Sequence, residues 1–185
     1  MPAFDQLTLD TARLRLRPLR EADADALFSI FRDPQVMRYW STPPWGSIEQ
    51  AHKMVERDRQ AMAAGDHLRL GLERKDDGAL IGTCTLFQLL PSCRRAEVGY
   101  ALAAHAWGCA YMDEALRALL THGFTALQLN RVEADIDPRN AASARSLERL
   151  GFQKEGHLRE RWIVGDEISD TALYGLLQRD WHWRA

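Results

Sequence analysis

Hydrophobic and polar positions repeat with different periods along the chain, and at its start these periods predict a strand followed by two helices. In "TARLRLRPL", leucine alternates with arginine, which is typical of a half-buried strand. In "READADALFSIFRDP", apolar side chains return every three or four positions until Pro34, which predicts an amphipathic helix. Ser47 followed by Gln50 predicts a capping box for a second helix that ends near Gly65.

The periods in the rest of the chain predict a mixed sheet. Asp77-Gly78 lies between two segments of strand period and is a strong signal for a two-residue hairpin turn. The predicted strands cover 67–74, 79–89, 96–104, 130–137, 159–165 and 169–178, and the predicted helices cover 108–127 and 140–151. This order indicates an α/β (α+β layered) domain, in which helices pack on a mixed sheet. We expect a single domain over residues 1–185.

Composition narrows the class of protein. The 185 residues are 46% hydrophobic and 27% charged, and the formal net charge is -2, so nothing indicates bulk attraction to nucleic acid or to an anionic membrane. No apolar run approaches the ~18–20 residues that span a bilayer. The first residues, "MPAFDQLTLD", lack the features of a secretory signal. We therefore expect a cytoplasmic protein.

The cysteines and histidines predict neither a disulfide framework nor a metal site. The 3 cysteines have no C-x-x-C spacing, and the 6 histidines show no H-E-x-x-H or other ligand spacing. Cys109 has two interpretations, a catalytic thiol or, with more support, a small filler residue in a loop.

The stretch "AWGCAYMDEAL", residues 106–116, stands where a predicted strand gives way to a helix. A helix N-terminus presents unpaired N–H groups and attracts phosphate. Alanine at position 110 keeps its N–H and adds only a methyl group, so we expect an anion site to persist if φ of Ala110 is negative. The carboxylate of Asp113 would repel a pyrophosphate unless it points away. Taken alone, the stretch is equally consistent with an ordinary strand–helix junction.

Two longer segments carry a family resemblance. "AEVGYALAAHAWGCAYMDEALRALL" and "NRVEADIDPRNAASARSLERLGFQKEGHLRE" resemble the GCN5-related N-acetyltransferases (GNAT), and "DPQVMRYW" and "WIVGDEISDTALYGLL" fit the same RimJ/RimL-type branch of ribosomal-protein N-terminal acetyltransferases. The resemblance implies a mostly antiparallel sheet with helices on both faces and a splayed central strand pair. It also implies transfer of an acetyl group from acetyl-CoA to an amine, without a metal.

The family's pyrophosphate loop has the form Q/R-x-x-G-x-G/A. The matching cofactor-binding positions are Trp107, Gly108, Cys109, Ala110, Tyr111 and Met112. Tryptophan replaces the usual polar residue, alanine replaces a glycine, methionine replaces the last small residue, and Asp113 stands where the family has Ser or Thr.

The resemblance also assigns roles beside this loop. The splay frees backbone groups near Leu102 and Ala103 for the pantetheine arm, and the N–H of Leu102 can stabilise an oxyanion. Asn140 and Ser143 match the family's N-x-x-S, where Asn140 can also act as an N-cap and Ser143 can protonate or stabilise the leaving thiolate. Many family members use a tyrosine at the position of Leu147, so here that role falls on Ser143 or on water.

Glu97 is the first candidate for the base, and Glu160 is a weaker one. Both have a structural alternative, a salt-bridged carboxylate for Glu97 and a solvent-facing strand residue for Glu160. An α-amine with a pKa of ~7.7–8.0 is partly neutral at pH 7 and needs only a modest base, acting directly or through water. Four aromatic residues could line the acceptor pocket, although aromatics in such number more often serve packing; they are Tyr39, Trp40, Trp45 and Trp162.

Three functions remain open at this point. The first is acetylation of a peptide or protein α-amine, and the second is acetylation of a small amine such as an aminoglycoside or polyamine. The third is an acyl-CoA-binding module with little catalysis, which the residues at 110, 113 and 147 would favour. The oligomeric state stays open, with a homodimer among the options.

Overall fold

The computed structural model describes residues 3–182 and contains one eight-stranded sheet. The strands are β1 (Leu9–Asp10), β2 (Leu14–Arg17), β3 (Leu68–Arg74), β4 (Leu80–Leu90), β5 (Arg95–Leu102), β6 (Arg131–Ile136), β7 (Gln153–Val164) and β8 (Glu167–Leu177). The α-helices are α1 (Ala24–Phe31), α2 (Glu49–Ala64), α3 (Tyr111–Thr125) and α4 (Ala141–Arg149). Apart from the two-residue β1, the order of elements is the one that the hydrophobic periods predict.

The strands lie in the order β1-β2-β3-β4-β5-β6-β8-β7. Every neighbouring pair is antiparallel except β5 and β6, which run parallel. Gly78 has φ 71° at the β3–β4 turn, so the predicted hairpin forms with the glycine in the left-handed region. The prediction of a mixed, mostly antiparallel sheet is confirmed.

Helices cover both faces of the sheet, because two separate apolar clusters need to be buried. One cluster joins α3 and α4 to the strands through residues such as Leu116, Leu120 and Leu147. The other joins α1 and α2 to the sheet through residues such as Leu27 and Val55. Strand β5 contributes to both clusters, since Ala96 and Val98 lie in the first and Ala101 in the second.

Several predicted boundaries are wrong. Helix α3 begins at Tyr111 rather than at 108, because a 3-10 turn over Ala104–Ala106 and an irregular loop precede it. Strand β7 begins at Gln153, six residues before the predicted start. Only half of the predicted capping box forms: the Gln50 side chain accepts a hydrogen bond from the N–H of Ser47, whereas α2 has no side-chain N-cap.

The two central strands separate after three residue pairs. Parallel pairing of β5 with β6 joins Arg95 to Arg131, Ala96 to Val132 and Glu97 to Glu133, and goes no further. Beyond that point β5 remains paired with β4, and β6 remains paired with β8. The predicted splay is present, and Glu97 stands on the last pair before the strands part.

No helix within residues 3–182 has the combined length and apolar character that crossing a membrane requires.

We expect Gly82→Ala to destabilise the fold by about 1–3 kcal/mol, because overpacking a core position has costs of this size. A Cβ at Gly82 would lie 2.4 Å from the carbonyl oxygen of Ala101 and 3.2 Å from Cα of Leu102, and backbone atoms cannot rotate away. Urea unfolding measures the change. Gly46→Ala is the matched control, since a Cβ there meets nothing within 4 Å. Equal stability of the two variants would contradict this packing.

Candidate active site

The gap between β5 and β6 exposes backbone groups of Tyr100 and Leu102. The N–H of Ala103 donates to the carbonyl oxygen of Ile81 across the β4–β5 pair at 2.8 Å. Hydrogen-bonded and non-hydrogen-bonded pairs alternate along an antiparallel ladder, so the backbone groups of Leu102, opposite Gly82, point away from β4. The same alternation turns Tyr100 toward the gap, where β6 no longer pairs with β5.

The prediction of free backbone groups at Ala103 is wrong. Its N–H is taken by β4, and its carbonyl oxygen accepts a hydrogen bond from the N–H of Ala106 at 2.9 Å. For Leu102, the prediction of a free carbonyl oxygen is wrong, and the N–H remains a candidate. Its carbonyl oxygen accepts a hydrogen bond from Nε1 of Trp107 at 2.8 Å. The indole ring, 48% exposed, thereby ties the loop to the end of β5.

The start of α3 has unpaired backbone donors. No side chain caps this helix, and its first intrahelical bond runs from the N–H of Glu114 to the carbonyl oxygen of Ala110. The N–H groups of Tyr111, Met112 and Asp113 therefore have no acceptor within the helix. Gly108 has φ 75°, and a Cβ there would meet nothing within 4 Å, so the approach to these donors is open. These features fit the diphosphate of a coenzyme.

The condition that φ of Ala110 be negative is not met. Ala110 has φ 60° and ψ 16°, the left-handed conformation, at the N-cap of α3. An alanine in this region costs about 1–2 kcal/mol, because Cβ approaches its own carbonyl oxygen.

Arg13 contacts this loop, an interaction that no pattern in the sequence predicts. Its Nη1 donates to the carbonyl oxygen of Cys109 at 3.0 Å, and its guanidinium lies 4.5 Å from the ring centroid of Tyr111. Glu114 holds Arg13 in turn, accepting from Nε at 2.7 Å and from the backbone N–H at 2.7 Å. The only sequence signal was the alternating arginine pattern of the first strand, which indicates exposure rather than a partner.

Asp113 is neutralised by arginine. Its Oδ2 lies 2.8 Å from Nη2 of Arg117, and its Oδ1 lies 3.8 Å from Nε of Arg149. Together with the Arg13–Glu114 pair, three guanidinium groups face two carboxylates at the start of α3. The local charge is therefore positive, which favours an anion.

Helix α4 brings two predicted residues to the gap. The side chain of Asn140 caps the helix by accepting a hydrogen bond from the N–H of Ser143 at 3.1 Å. The hydroxyl groups of Ser143 and Tyr100 lie 2.7 Å apart. Leu147, one turn after Ser143, is fully buried in the core. Tyr100 was absent from the predicted site, since its partner lies 43 residues away.

Glu97 has a strongly shifted pKa. Burial, together with the negative charges of Asp135 and Glu133, raises the pKa of its carboxyl group from 4.5 to about 7, although Arg95 and Arg161 oppose the shift. Alternation along β5 places this side chain on the same face as Ala101 and Ala103, opposite to that of Tyr100. A carboxyl group with this pKa can take up a proton near neutral pH.

The other acidic side chains around the gap have partners. Glu133 binds Arg131 and Arg95, and these hydrogen bonds hold its pKa below the ordinary value although burial raises it. Asp135 accepts a hydrogen bond from the hydroxyl of Thr171 at 2.9 Å. Within the described residues, no hydrogen bond or ion pair engages the Glu97 carboxylate.

The predicted acceptor aromatics divide into packing residues and exposed residues. Trp40 and Trp45 pack on Phe31 with ring centroids 5.4 and 4.6 Å away, which anchors the connection after α1. Tyr39 and Trp162 are 37% and 38% exposed. Trp162 lies on β7, opposite Ser169 of β8.

Ion pairs tie the connection after α1 to the β7–β8 hairpin. Glu167 binds Arg38 at 3.0 Å and Arg139 at 2.7 Å, and both guanidinium groups lie over the ring of Tyr39. This arrangement brings the exposed Tyr39 to the hairpin that carries Trp162. Glu160, the weaker candidate for the base, has φ 52°, and its N–H donates to Asp170.

Within residues 3–182, no group of three or more His, Cys, Asp or Glu side chains could hold a metal ion. A cavity of about 490 Å³ lies elsewhere, between α2 and the first strands, beside Arg17 and Asp58. It touches none of the residues described at the gap.

Residues 13–153 match the acetyltransferase (GNAT) domain family. The chain belongs to the GNAT family. An uncharacterized N-acetyltransferase of Bacillus licheniformis is 36% identical over 94% of this chain and 98% of that protein. Among solved structures, a probable acetyltransferase superposes with a TM-score of 0.86 at 30% identity, covering 95% of this chain and 99% of the other. RimJ of Mycobacterium smegmatis, solved with CoA-disulfide, superposes with a TM-score of 0.86 at 26% identity, covering 99% and 93%.

This membership makes the chain an N-acetyltransferase enzyme of the GNAT type. GNAT enzymes take their acetyl group from acetyl-CoA, and the unpaired donors at the start of α3 fit the diphosphate of that molecule.

We expect Ala110→Gly to raise the free energy of unfolding of this GNAT enzyme by about 1 kcal/mol, because glycine adopts a positive φ without strain. Differential scanning calorimetry measures the change. Ala63→Gly is the matched control, since Ala63 is exposed within α2, and glycine there should lower stability by about 0.5–1 kcal/mol. A loss of stability in Ala110→Gly would contradict the left-handed conformation.

Proposed function

We propose that this enzyme transfers the acetyl group of acetyl-CoA to a peptide or protein N-terminal α-amine. The observation that carries the proposal is the single unpaired carboxyl group at the foot of the gap, that of Glu97, with a pKa of about 7. A base with this pKa is sufficient for an α-amine, because part of the α-amine is already neutral at physiological pH.

Acetyl-CoA is the co-substrate and supplies an activated acetyl thioester. In this proposal the N–H groups of Tyr111 and Met112 hold its diphosphate, with Trp107, Gly108, Cys109 and Ala110 shaping the loop. Backbone groups of Tyr100 and Leu102 bind the pantetheine amides in the gap, as an added strand would. Asn140 fixes the start of α4, and Ser143 faces the sulfur.

Glu97 accepts the proton that the amine loses. Leu102 lies five residues beyond Glu97 on an extended strand, and at ~3.3 Å per residue this is too far for direct contact with a group bound there. The proton therefore passes from the attacking amine to Glu97 through ordered water. The N–H of Leu102 donates to the acetyl oxygen as negative charge develops on it.

The charges around the gap favour an acceptor with one positive charge. A polyamine carries several ammonium groups and needs several free carboxylates. Here Glu133 and Glu155 are bound by Arg131, and Asp137 is bound by Arg139. Asp135 accepts a hydrogen bond from Thr171, and no partner among residues 3–182 engages Glu97, which leaves Glu97 for the acceptor. Tyr39 and Trp162 would then contact the residues that follow the N-terminus.

The names of the relatives allow both kinds of acceptor. RimJ belongs to the branch whose motifs this sequence resembles, which supports an N-terminal α-amine. The spermidine N(1)-acetyltransferase of Escherichia coli (strain K12) is 22% identical over 91% of this chain. Within this proposal, the charge distribution described above supports the RimJ/RimL-type branch.

A matched panel of acceptors tests the proposal. The protein is incubated with acetyl-CoA and a peptide with a free N-terminus, the same peptide with a blocked N-terminus and an internal lysine, spermidine, or an aminoglycoside. Release of free thiol and the product mass are measured. We expect turnover with the free N-terminus and little with the others. Faster turnover of spermidine would overturn the acceptor class, and coenzyme binding without thiol release would support a binding module instead.

We expect Glu97→Gln to lower kcat/KM about 100-fold at neutral pH, because a positioned base contributes a factor of this order. In the unaltered enzyme, kcat/KM should rise with pH through about 7, since only the ionised form of Glu97 accepts a proton. The variant should lack this rise once the neutral fraction of the amine has been corrected for. The pH profile of kcat/KM is the measurement.

The Glu97→Gln substitution should also change how thermal stability depends on pH. Because the folded state raises the pKa of Glu97 above 4.5, ionisation costs stability as the pH rises toward 7. The thermal stability of Glu97→Gln relative to the unaltered protein should therefore increase between ~pH 5 and ~pH 8. Glu155→Gln is the control, because the hydrogen bond from Arg131 holds the pKa of Glu155 below its ordinary value, so the loss of this ion pair should not vary with pH above ~5. If the Glu97→Gln substitution left the pH profile of kcat/KM unchanged, Glu97 could not be the base.

A further inference from the structure

We propose that Tyr100 is a positioning residue that orients the hydroxyl group of Ser143 toward the departing sulfur of acetyl-CoA. The proposal rests on the proposed function, since it concerns the leaving group of that reaction. Helix α4 carries no aromatic hydroxyl, since position 147 is a leucine that is buried in the core. The proposal assigns that hydroxyl to Tyr100 of β5.

The contact between the two hydroxyl groups is specific. Tyr100 lies on the part of β5 that is not paired with β6, and Ser143 lies in the first turn of α4. Their oxygens are 2.7 Å apart. Ser143 is 9% exposed, so its hydroxyl has few alternative partners in solvent. The backbone N–H of Ser143 donates to the side chain of Asn140, which fixes the backbone from which the hydroxyl extends.

The phenol is the better donor of this pair, since it is more acidic than an aliphatic hydroxyl. When Tyr100 donates to Oγ of Ser143, the Ser143 proton has to point elsewhere. The Ser143 hydroxyl is not required to cap α4, because the side chain of Asn140 already does so. The remaining direction is the gap, where the sulfur leaves.

The Tyr100–Ser143 pair donates a hydrogen bond to the departing sulfur and keeps both of its protons. Burial raises the pKa of Tyr100 to about 12. A coenzyme thiol has a pKa of ~8.5, by analogy with cysteine, so proton transfer from Tyr100 to the thiolate is strongly unfavourable. As the C–S bond breaks, the sulfur keeps the electron pair and accepts a hydrogen bond from Ser143. The amine proton goes to Glu97 through water, and the released thiolate takes its proton from solvent.

The neighbours of Tyr100 do not supply this role. Arg149 of α4 favours an anion at Tyr100, but it also lies near the Asp113 carboxylate. Tyr174 of β8 is buried, and its hydroxyl donates to Glu148 at 3.4 Å. Tyr174→Phe is therefore a matched control, since it removes a buried hydroxyl next to the same helix.

We expect Tyr100→Phe to lower kcat about 10-fold, the size of one hydrogen bond to a charged group. The direct readout is the pKa of the thiol of bound CoA, followed by thiolate ultraviolet absorbance. It should lie below that of free CoA in the unaltered protein and rise by about one unit in Tyr100→Phe. Affinity for desulfo-CoA, which lacks the thiol, should stay unchanged. Tyr174→Phe should alter none of these values.

A double substitution tests whether Tyr100 acts through Ser143. Ser143→Ala alone should raise the bound thiol pKa, and adding Tyr100→Phe should change it no further. Additive effects, an unchanged thiol pKa, or an equal loss of affinity for CoA and desulfo-CoA would overturn the proposal. Because this titration needs no acceptor, its failure is separate from failure of the acceptor panel. A protein that bound no CoA would overturn the proposed function and this inference together.

Discussion

The pairing of β5 with β6 ends after Glu97 and Glu133, and the active site depends on this loss of hydrogen bonds. Backbone groups that leave a ladder need another partner, because an unpaired buried peptide group is costly. The carbonyl oxygen of Leu102 receives the indole of Trp107. The N–H groups that turn toward the gap are left for a substrate. The fold thus keeps part of its hydrogen-bonding capacity for the coenzyme.

Charged side chains also differ between the two ends of the gap. Arginines of neighbouring strands and loops bind the carboxylates near the gap, so that Glu97 alone combines partial burial with no partner among the described residues. At the start of α3 the excess of guanidinium over carboxylate gives a positive surface. One end of the gap therefore suits a phosphate, and the other is the end at which we propose that the amine binds. A polar cleft without this separation would bind either group at either end.

Much of the fold could be predicted from local patterns, because the leucine and arginine alternation of β2 and the Asp77-Gly78 turn act over a few residues. The N-cap of α4 was predictable for the same reason. Contacts between distant segments were not. Arg13 meets Glu114 across 101 residues, and Tyr100 meets Ser143 across 43. The positive φ of Ala110 also depends on the path of the whole loop, which an alanine does not signal.

The contacts between the proposed acceptor loop and the β7–β8 hairpin are weaker than those at the start of α3. Arg38 and Arg139 join Glu167 through ion pairs that are about half exposed, and such pairs contribute about 0–1 kcal/mol each. The start of α3, by contrast, is continuous with the main core through Met112, Ala115 and Leu116. The ion pairs between this loop and the hairpin can therefore change at little thermodynamic cost, whereas Met37, Trp40 and Trp45 keep the loop packed on the core. An enzyme descended from this one could change the amine that it acetylates and still bind the acyl donor in the same way.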